Sequence, residues 1–264
     1  MNEKLKNCAI WMANTVYNWT AKEGPRSCHL SKEPFGAINE YFDAVFVLTI
    51  PRNLQRREHI ESQFEGLKFE YFEGIDGQTI TEEDTRIDFY QASIVNGRKF
   101  LLNEAACALS HFALLKLVVD RRVKRALIFE DDAVLIRKNA CWIPYCLEHL
   151  PPDWEFLYLG YKDGELRGYL REIEEHFGKK RRSEEVVSRT VGRGLRTAGG
   201  HELIHAYAVS IEGASKILRG AYPVRDVADG WIERKVLMQQ LRAYISIPKI
   251  FVQQSVLPSS IHLN

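Results

Sequence analysis

The 264 residues predict an α/β fold, and three observations carry that expectation. Short apolar runs of the length of buried strands recur along the chain, and helical patterns follow them. The clearest run, Val45-Phe46-Val47-Leu48-Thr49-Ile50, ends at Pro51 and gives way to Leu54–Phe64, where Leu54, Ile60 and Phe64 keep a helical period. Hydrophobic residues make up 45% and charged residues 27%, the balance of one sizeable globular domain with a real core rather than of a disordered chain.

Taken in order, residues 1–40 read as an N-terminal extension of unassigned role. Trp11, Met12, Val16 and Trp19 there suit one short amphipathic helix before Gly24-Pro25 and Pro34-Phe35-Gly36 break the pattern. Asn53 offers a cap for the helix at 54–64. Phe69–Phe72 is a second strand closed by the turn Gly74-Ile75-Asp76-Gly77, and a polar stretch follows to about Lys99. Asn103 is placed to cap a helix reaching about Arg121, with Ala105, Cys107, Leu109, Phe112, Leu115 and Val119 on its buried face. Ala126–Phe129 is the next buried strand, and Glu130-Asp131-Asp132 stand at its carboxyl end, the edge where open α/β sheets bind ligands. Strands are expected at Phe156–Leu159 and Ala206–Val209, and helices over Gly213–Arg219 and Trp231–Leu241. Lys162–Gly200, charged and glycine-rich, is expected to be a long mobile segment.

The formal net charge of +1 gives no reason to expect a polyanionic partner or a membrane surface. No run approaches the ~18 apolar residues of a transmembrane segment. Asn7, Asn14, Asn18 and Lys22 interrupt every candidate secretory core. The five cysteines, Cys8, Cys28, Cys107, Cys141 and Cys146, are odd in number and lack zinc-type spacing, so free thiols in a reducing compartment are expected. The expected location is cytoplasmic, with peripheral contact with a membrane left open.

Three carboxylates in a row after a buried strand repel one another, and a divalent cation is the natural relief, although a solvated acidic turn has the same sequence. Mg²⁺ and Mn²⁺ take oxygen ligands and often share carboxylates with substrate phosphates. Arg52 and Arg56, with Arg57, follow the first strand and suit phosphate oxygens, or equally a surface helix balanced by Glu58 and Glu61. Ser110 and His111 are adjacent on a helix and so do not face each other, which removes a hydrolase dyad. Asp226 and Asp229 precede a helix, where a carboxylate either takes a proton from an acceptor hydroxyl or caps the helix. The basic run Lys179-Lys180-Arg181-Arg182, with Arg189, Arg193 and Arg196, suits an anionic acceptor or a solvated loop. No reader helix or stacking surface accompanies it, so nucleic acid is not an expected partner.

In this order the segments VFVLTIPRNLQRR (45–57), GIDG (74–77), ACALSH (106–111), LIFEDDAV (127–134), LYLG (157–160), HAYAVS (205–210) with Gly213-Ala214, and Ser259-Ser260-Ile261 resemble glycosyltransferase family 25. That group includes lipooligosaccharide and collagen galactosyltransferases. The resemblance implies a GT-A type, Rossmann-like fold with a mixed central sheet, its nucleotide-sugar half at 41–136 and its acceptor half at 137–264. It implies inverting transfer of a sugar, typically galactose from UDP-galactose, to a glycan or lipooligosaccharide-type hydroxyl. Glu130 and Asp132 then hold Mn²⁺ or Mg²⁺. Arg52, Arg56, Asp76, Ser110, His111 and Asp131 fall to the donor, and Asp229, with Asp226 or Asp163 as alternatives, to the base. Ala106 stands where the family usually has Gly. A metal-dependent phosphoesterase and a non-catalytic nucleotide-sugar-binding relative are the competing readings.

Overall fold

The computed structural model describes residues 34–163 and 189–254. Eight strands form one mixed sheet in the order β2-β1-β3-β8-β5-β9-β7-β6. In chain order the strands are β1 (Ala44–Thr49), β2 (Glu70–Glu73), β3 (Arg125–Glu130), β5 (Phe156–Asp163), β6 (Thr190–Gly192), β7 (Leu195–Thr197), β8 (His201–Ser210) and β9 (Ala243–Ser246). β4 (Ala133–Leu135) and β10 (Phe251–Gln253) make a separate two-stranded antiparallel ribbon. The α-helices are α1 (Gly36–Tyr41), α2 (Leu54–Gln63), α3 (Phe89–Asn96), α4 (Leu102–Asp120), α5 (Trp142–Glu148), α6 (Ile211–Leu218) and α7 (Ala228–Leu237).

Alternation along the strands builds two cores, one on each face of the sheet. Phe46, Leu48, Ile128, Tyr158, Tyr207 and Val209 point to the face covered by α4, α6 and α7. Val47, Leu127, Phe129, Leu157, Leu159 and Ala208 point to the face covered by α1, α2 and α5. Strands buried on both faces must be apolar throughout, which is why these runs stand out in the sequence.

Topology places the site. β1 pairs in parallel with β2 on one side and with β3 on the other. The link from β1 to β2 runs through α2 on one face, and the link from β2 to β3 runs through α4 on the opposite face. Connections that leave in opposite directions open a crevice at the carboxyl ends of β1 and β3. The ribbon closes this crevice from outside: Gln254 N donates to Asp132 O at 2.8 Å and Ile136 N to Ile250 O at 2.8 Å.

Several local expectations are corrected. Part of the predicted mobile segment is structured, since β6 and β7 form a hairpin that joins β9 at the sheet edge. The polar stretch before Lys99 contains α3, capped by Asp88, whose carboxylate accepts from Gln91 N at 3.0 Å. Asn103 does not cap α4. The N-cap is Leu101, whose N–H donates to the Glu104 carboxylate at 3.0 Å. Asn53 makes no side-chain cap bond either. Phe35 and Ile38, from the assigned extension, are buried in the second core. Cys141 is disulfide-bonded, against the expectation of free thiols, whereas Cys107 and Cys146 are free. By length and composition α4 could cross a bilayer, but most of it is buried inside the protein, as suits a core helix. The expected helix at 11–19, the basic run at 179–182 and Ser259-Ser260-Ile261 lie outside the described residues.

Candidate active site

A cleft of about 610 Å³, counting space open to solvent, occupies the switch point. The end of β1 supplies Leu48, Thr49 and Ile50, the end of β3 supplies Glu130, Asp131 and Asp132, and α4 supplies Asn103, Cys107, Ser110 and His111. Gly77 forms part of the wall because a side chain would not fit there. A Cβ would sit 1.9 Å from Asn103 Oδ1.

The three carboxylates differ in what they have left to offer. Asp131 is used up internally: Thr49 Oγ1 donates to Oδ2 at 2.7 Å and Arg56 Nη1 to Oδ1 at 2.5 Å. Asp132 receives Arg56 Nη1 at 3.3 Å and Gln253 Nε2 at 3.1 Å, both on Oδ2. Its Oδ1 is buried without a hydrogen-bond partner. Glu130 Oε1 meets His111 Nε2 at 3.1 Å, and His111 Nδ1 meets the Tyr207 hydroxyl at 3.1 Å.

The electrostatics follow from that inventory. Burial, then the charge of Glu130, drives the Asp132 carboxyl up to about 7 against the pull of Arg56 and Gln253. Burial acts on Glu130 in the same direction, but the His111 hydrogen bond and charge, with His205 and Arg56, outweigh it and hold Glu130 below its ordinary value. Burial opposes the charge of Arg56, and Asp131 and Asp132 more than restore it. The site thus holds one carboxylate committed to structure, one kept ionised, and one that binds a proton readily where no cation stands in for it.

Of the residues singled out in the sequence, Arg56, Ser110, His111, Glu130, Asp131 and Asp132 come together in the cleft. Arg56 is a correction. It was expected on a helix face turned to a diphosphate, but it is 8% exposed and its guanidinium bridges Asp131 and Asp132. Asp131 likewise has no oxygen free for a donor. Ser110 holds the turn after β2, accepting from Ile75 N at 2.8 Å and donating to Ala106 O at 2.7 Å. Arg52 and Asp76 pair beside the cleft, Nε to Oδ2 at 2.5 Å and Nη2 to Oδ1 at 3.0 Å, so neither stands alone before a phosphate.

Asp226 is a second correction. It is 5% exposed, receives Arg234 Nη2 at 3.0 Å and Val227 N at 2.9 Å, and is not part of the cleft lining. Asp229 lies in the first turn of α7 rather than in a capping turn. Its carboxylate accepts from Leu203 N and Gly230 N, each at 3.0 Å. Burial raises its pKa, the two backbone N–H groups oppose that, and Glu130 adds to it, so Asp229 feels the cleft without lining it. Asp163 ends β5 in register with His201.

Sequence reasoning did not single out Thr49, Gln253 or Tyr207, or any ligand role for Cys107. The stripe Asn103, Cys107, Ser110, His111 at helical spacing was a usable signal for Cys107 and Asn103. Gln253 gave none, because it reaches Asp132 only through the β10–β4 pairing.

Residues 42–232 match the family described as Glycosyltransferase family 25 (LPS biosynthesis protein). The mouse (Mus musculus) protein named inactive glycosyltransferase 25 family member 3 is 28% identical over 207 residues, covering 73% of this chain and 31% of that protein. Mouse procollagen galactosyltransferase 2 is 24% identical over 194 residues, covering 69% of this chain and 28% of that protein. The chain thus spans under a third of the length of these curated relatives. A solved glycosyltransferase involved in glycosylation of the major capsid of PBCV-1 aligns with 81% of this chain and 94% of its own at 8% identity and a TM-score of 0.37. With the family match extending over well more than half of its residues, the chain belongs to glycosyltransferase family 25.

Proposed function

We propose that the protein is a metal-dependent glycosyltransferase that takes a UDP-sugar, galactose by family resemblance, and transfers it with inversion to a glycan-type hydroxyl. The observation that carries this reading is the division of labour in the acidic triplet. Asp131 and Arg56 are spent on each other, while Asp132 keeps a buried oxygen without a partner beside the ionised Glu130. A hard divalent cation fits that donor set, with Glu130 and Asp132 as its holders. Such a cation, Mn²⁺ or Mg²⁺, would offset charge on the departing diphosphate.

The chain's own groups supply the rest. Arg56 and Thr49 hold the rim rigid, and His111, fixed by Tyr207, orients Glu130. Asp229 is kept as the proposed base for the acceptor hydroxyl because it is half-buried and held by the backbone N–H groups of Leu203 and Gly230 rather than by a cation, so that a rearrangement of the β8–α7 contact would bring it to the acceptor. Asp226 is set aside, being neutralised by Arg234.

The test is UDP release from a panel of UDP-sugars with candidate acceptors, first with Mn²⁺ and then with chelator, joined to calorimetry of UDP with and without Mn²⁺. Metal-linked UDP binding and chelator-sensitive release are expected. UDP binding that ignores the metal, or none at all, would sink the reading and favour the non-catalytic relative, the state that the mouse protein's name ascribes to it. Phosphate-ester cleavage without sugar transfer would favour a phosphoesterase.

A further inference from the structure

The α4 wall of the cleft carries a thiol, Cys107, that the reaction above does not use. Cys107 and His111 are one turn apart on the same helix face, and Glu130 stands opposite at the end of β3. One ligand atom of each lies within 4.8 Å of the other two, and all three residues line the cleft. His111 Nε2 and Glu130 Oε1, 3.1 Å apart, are already near the about 3.3 Å kept by two ligands of one tetrahedral ion. Bringing Cys107 Sγ into line needs about 1 Å of side-chain motion.

The other nitrogen of His111 meets the hydroxyl of Tyr207, which is wholly buried between β3 and β5. A ligating histidine characteristically has such an outer hydrogen bond, which fixes its ring and tautomer. Imidazole, carboxylate and thiolate together are a borderline-soft set that prefers Zn²⁺ to Mn²⁺ or Mg²⁺.

We infer that Cys107, His111 and Glu130 form a zinc site with its fourth position open to the cleft, and that zinc bound there withdraws Glu130 from the donor site and inhibits transfer. The inhibition rests on the function proposed above; the zinc site itself does not. On binding, the Cys107 S–H bond breaks, its proton passes to solvent and an S–Zn bond forms without change of oxidation state. The Nε2 proton that His111 shares with Glu130 also passes to solvent, and His111 then ligates as neutral imidazole through Nε2 with its Nδ1 hydrogen towards the Tyr207 oxygen.

The experiment uses the full chain with cobalt(II) as a spectroscopic substitute for zinc. A thiolate-to-cobalt charge-transfer band is expected, bleached by Zn²⁺ but not by excess Mn²⁺. Cys107→Ser should abolish the band and weaken zinc binding, read by competition with a chromophoric chelator, by at least about 100-fold, and Tyr207→Phe by about tenfold. Should the serine variant not fold, Cys107→Ala takes its place, since Ala106 and Ala108 already flank the position. No band in the wild-type chain, or an undiminished band in a folded Cys107 variant, overturns the site. Calorimetry of Mn²⁺ with UDP separates the two readings. Donor binding undiminished by saturating zinc overturns the inhibition alone. Failure of Mn²⁺-linked UDP binding in zinc-free protein sinks the donor reading and the inhibition with it, and leaves the cobalt result to decide the site.

Discussion

Asp132→Asn should stabilise the metal-free protein at alkaline pH, an unusual outcome for a change at a reactive centre. Burial and Glu130 raise the Asp132 carboxyl from its ordinary 3.8 to about 7. A raised carboxyl means that the folded state holds the proton more tightly than the unfolded chain. Its stabilising contribution is therefore complete below about pH 4 and lost as pH climbs through about 7. At 1.36 kcal/mol per pH unit the loss across that window is about 4 kcal/mol. The residue is 5% exposed, so solvent screening removes little of this. Asparagine lacks the charge and keeps an acceptor for Arg56 and Gln253, and their pull on the ionised form is already contained in the value of about 7, so the net gain at alkaline pH is about 4 kcal/mol. Urea unfolding of both proteins in chelator, from about pH 4 to about pH 8, reads this directly. The two curves should meet at the acid end and separate steadily, with the variant ahead. A difference that does not vary with pH, or a variant that is the less stable at pH 8, would refute the reasoning. Adding Mn²⁺ and UDP should reverse the order, because only the wild type has the carboxylate to gain from the ion.

Arg56→Met removes the guanidinium that bridges Asp131 and Asp132 and should cost about 3–5 kcal/mol at neutral pH in urea unfolding; wild-type stability would show that the guanidinium holds nothing. Gly213→Ala places a Cβ 2.0 Å from Glu155 O, a backbone atom just before β5, and should lower stability by at least about 2 kcal/mol by the same measurement. Asp229→Asn should lower turnover at least about 100-fold while leaving UDP affinity unchanged, and near-normal turnover would remove Asp229 from the role of base.

The sequence discloses best those elements whose burial is settled locally. The runs at 45–50, 126–129, 156–159 and 206–209 are apolar on both faces, and each falls within a strand of the sheet or overlaps one by all but a residue. It conceals elements whose reason lies elsewhere in the chain. α3 was missed because Tyr90, Ile94 and Val95 are exposed and blur any apolar stripe, although Gly97 at φ 64 is an ordinary helix-ending signal. The β6–β7 hairpin is short and exposed along β6, and only its pairing with β9 makes it part of the sheet. In the site, the motifs bring Arg56 to the donor side of the sheet but do not disclose its bridge to Asp131 and Asp132. Adjacency can be read from the motifs, whereas the inward turn of its side chain depends on the depth at which α2 packs.

The ribbon of β4 and β10 ties the acidic rim to a segment about 120 residues further along, with Gln253 on Asp132 and Gln254 on its carbonyl. A ribosome delivers Asp132 long before it delivers the residues that brace it. During synthesis the strands flanking the crevice can pair, with Thr49 and Arg56 on the rim, while Asp132 still lacks the hydrogen bonds from Gln253 and Gln254. The hold on Asp132 is therefore complete only once Gln253 and Gln254 have been made and the ribbon has paired.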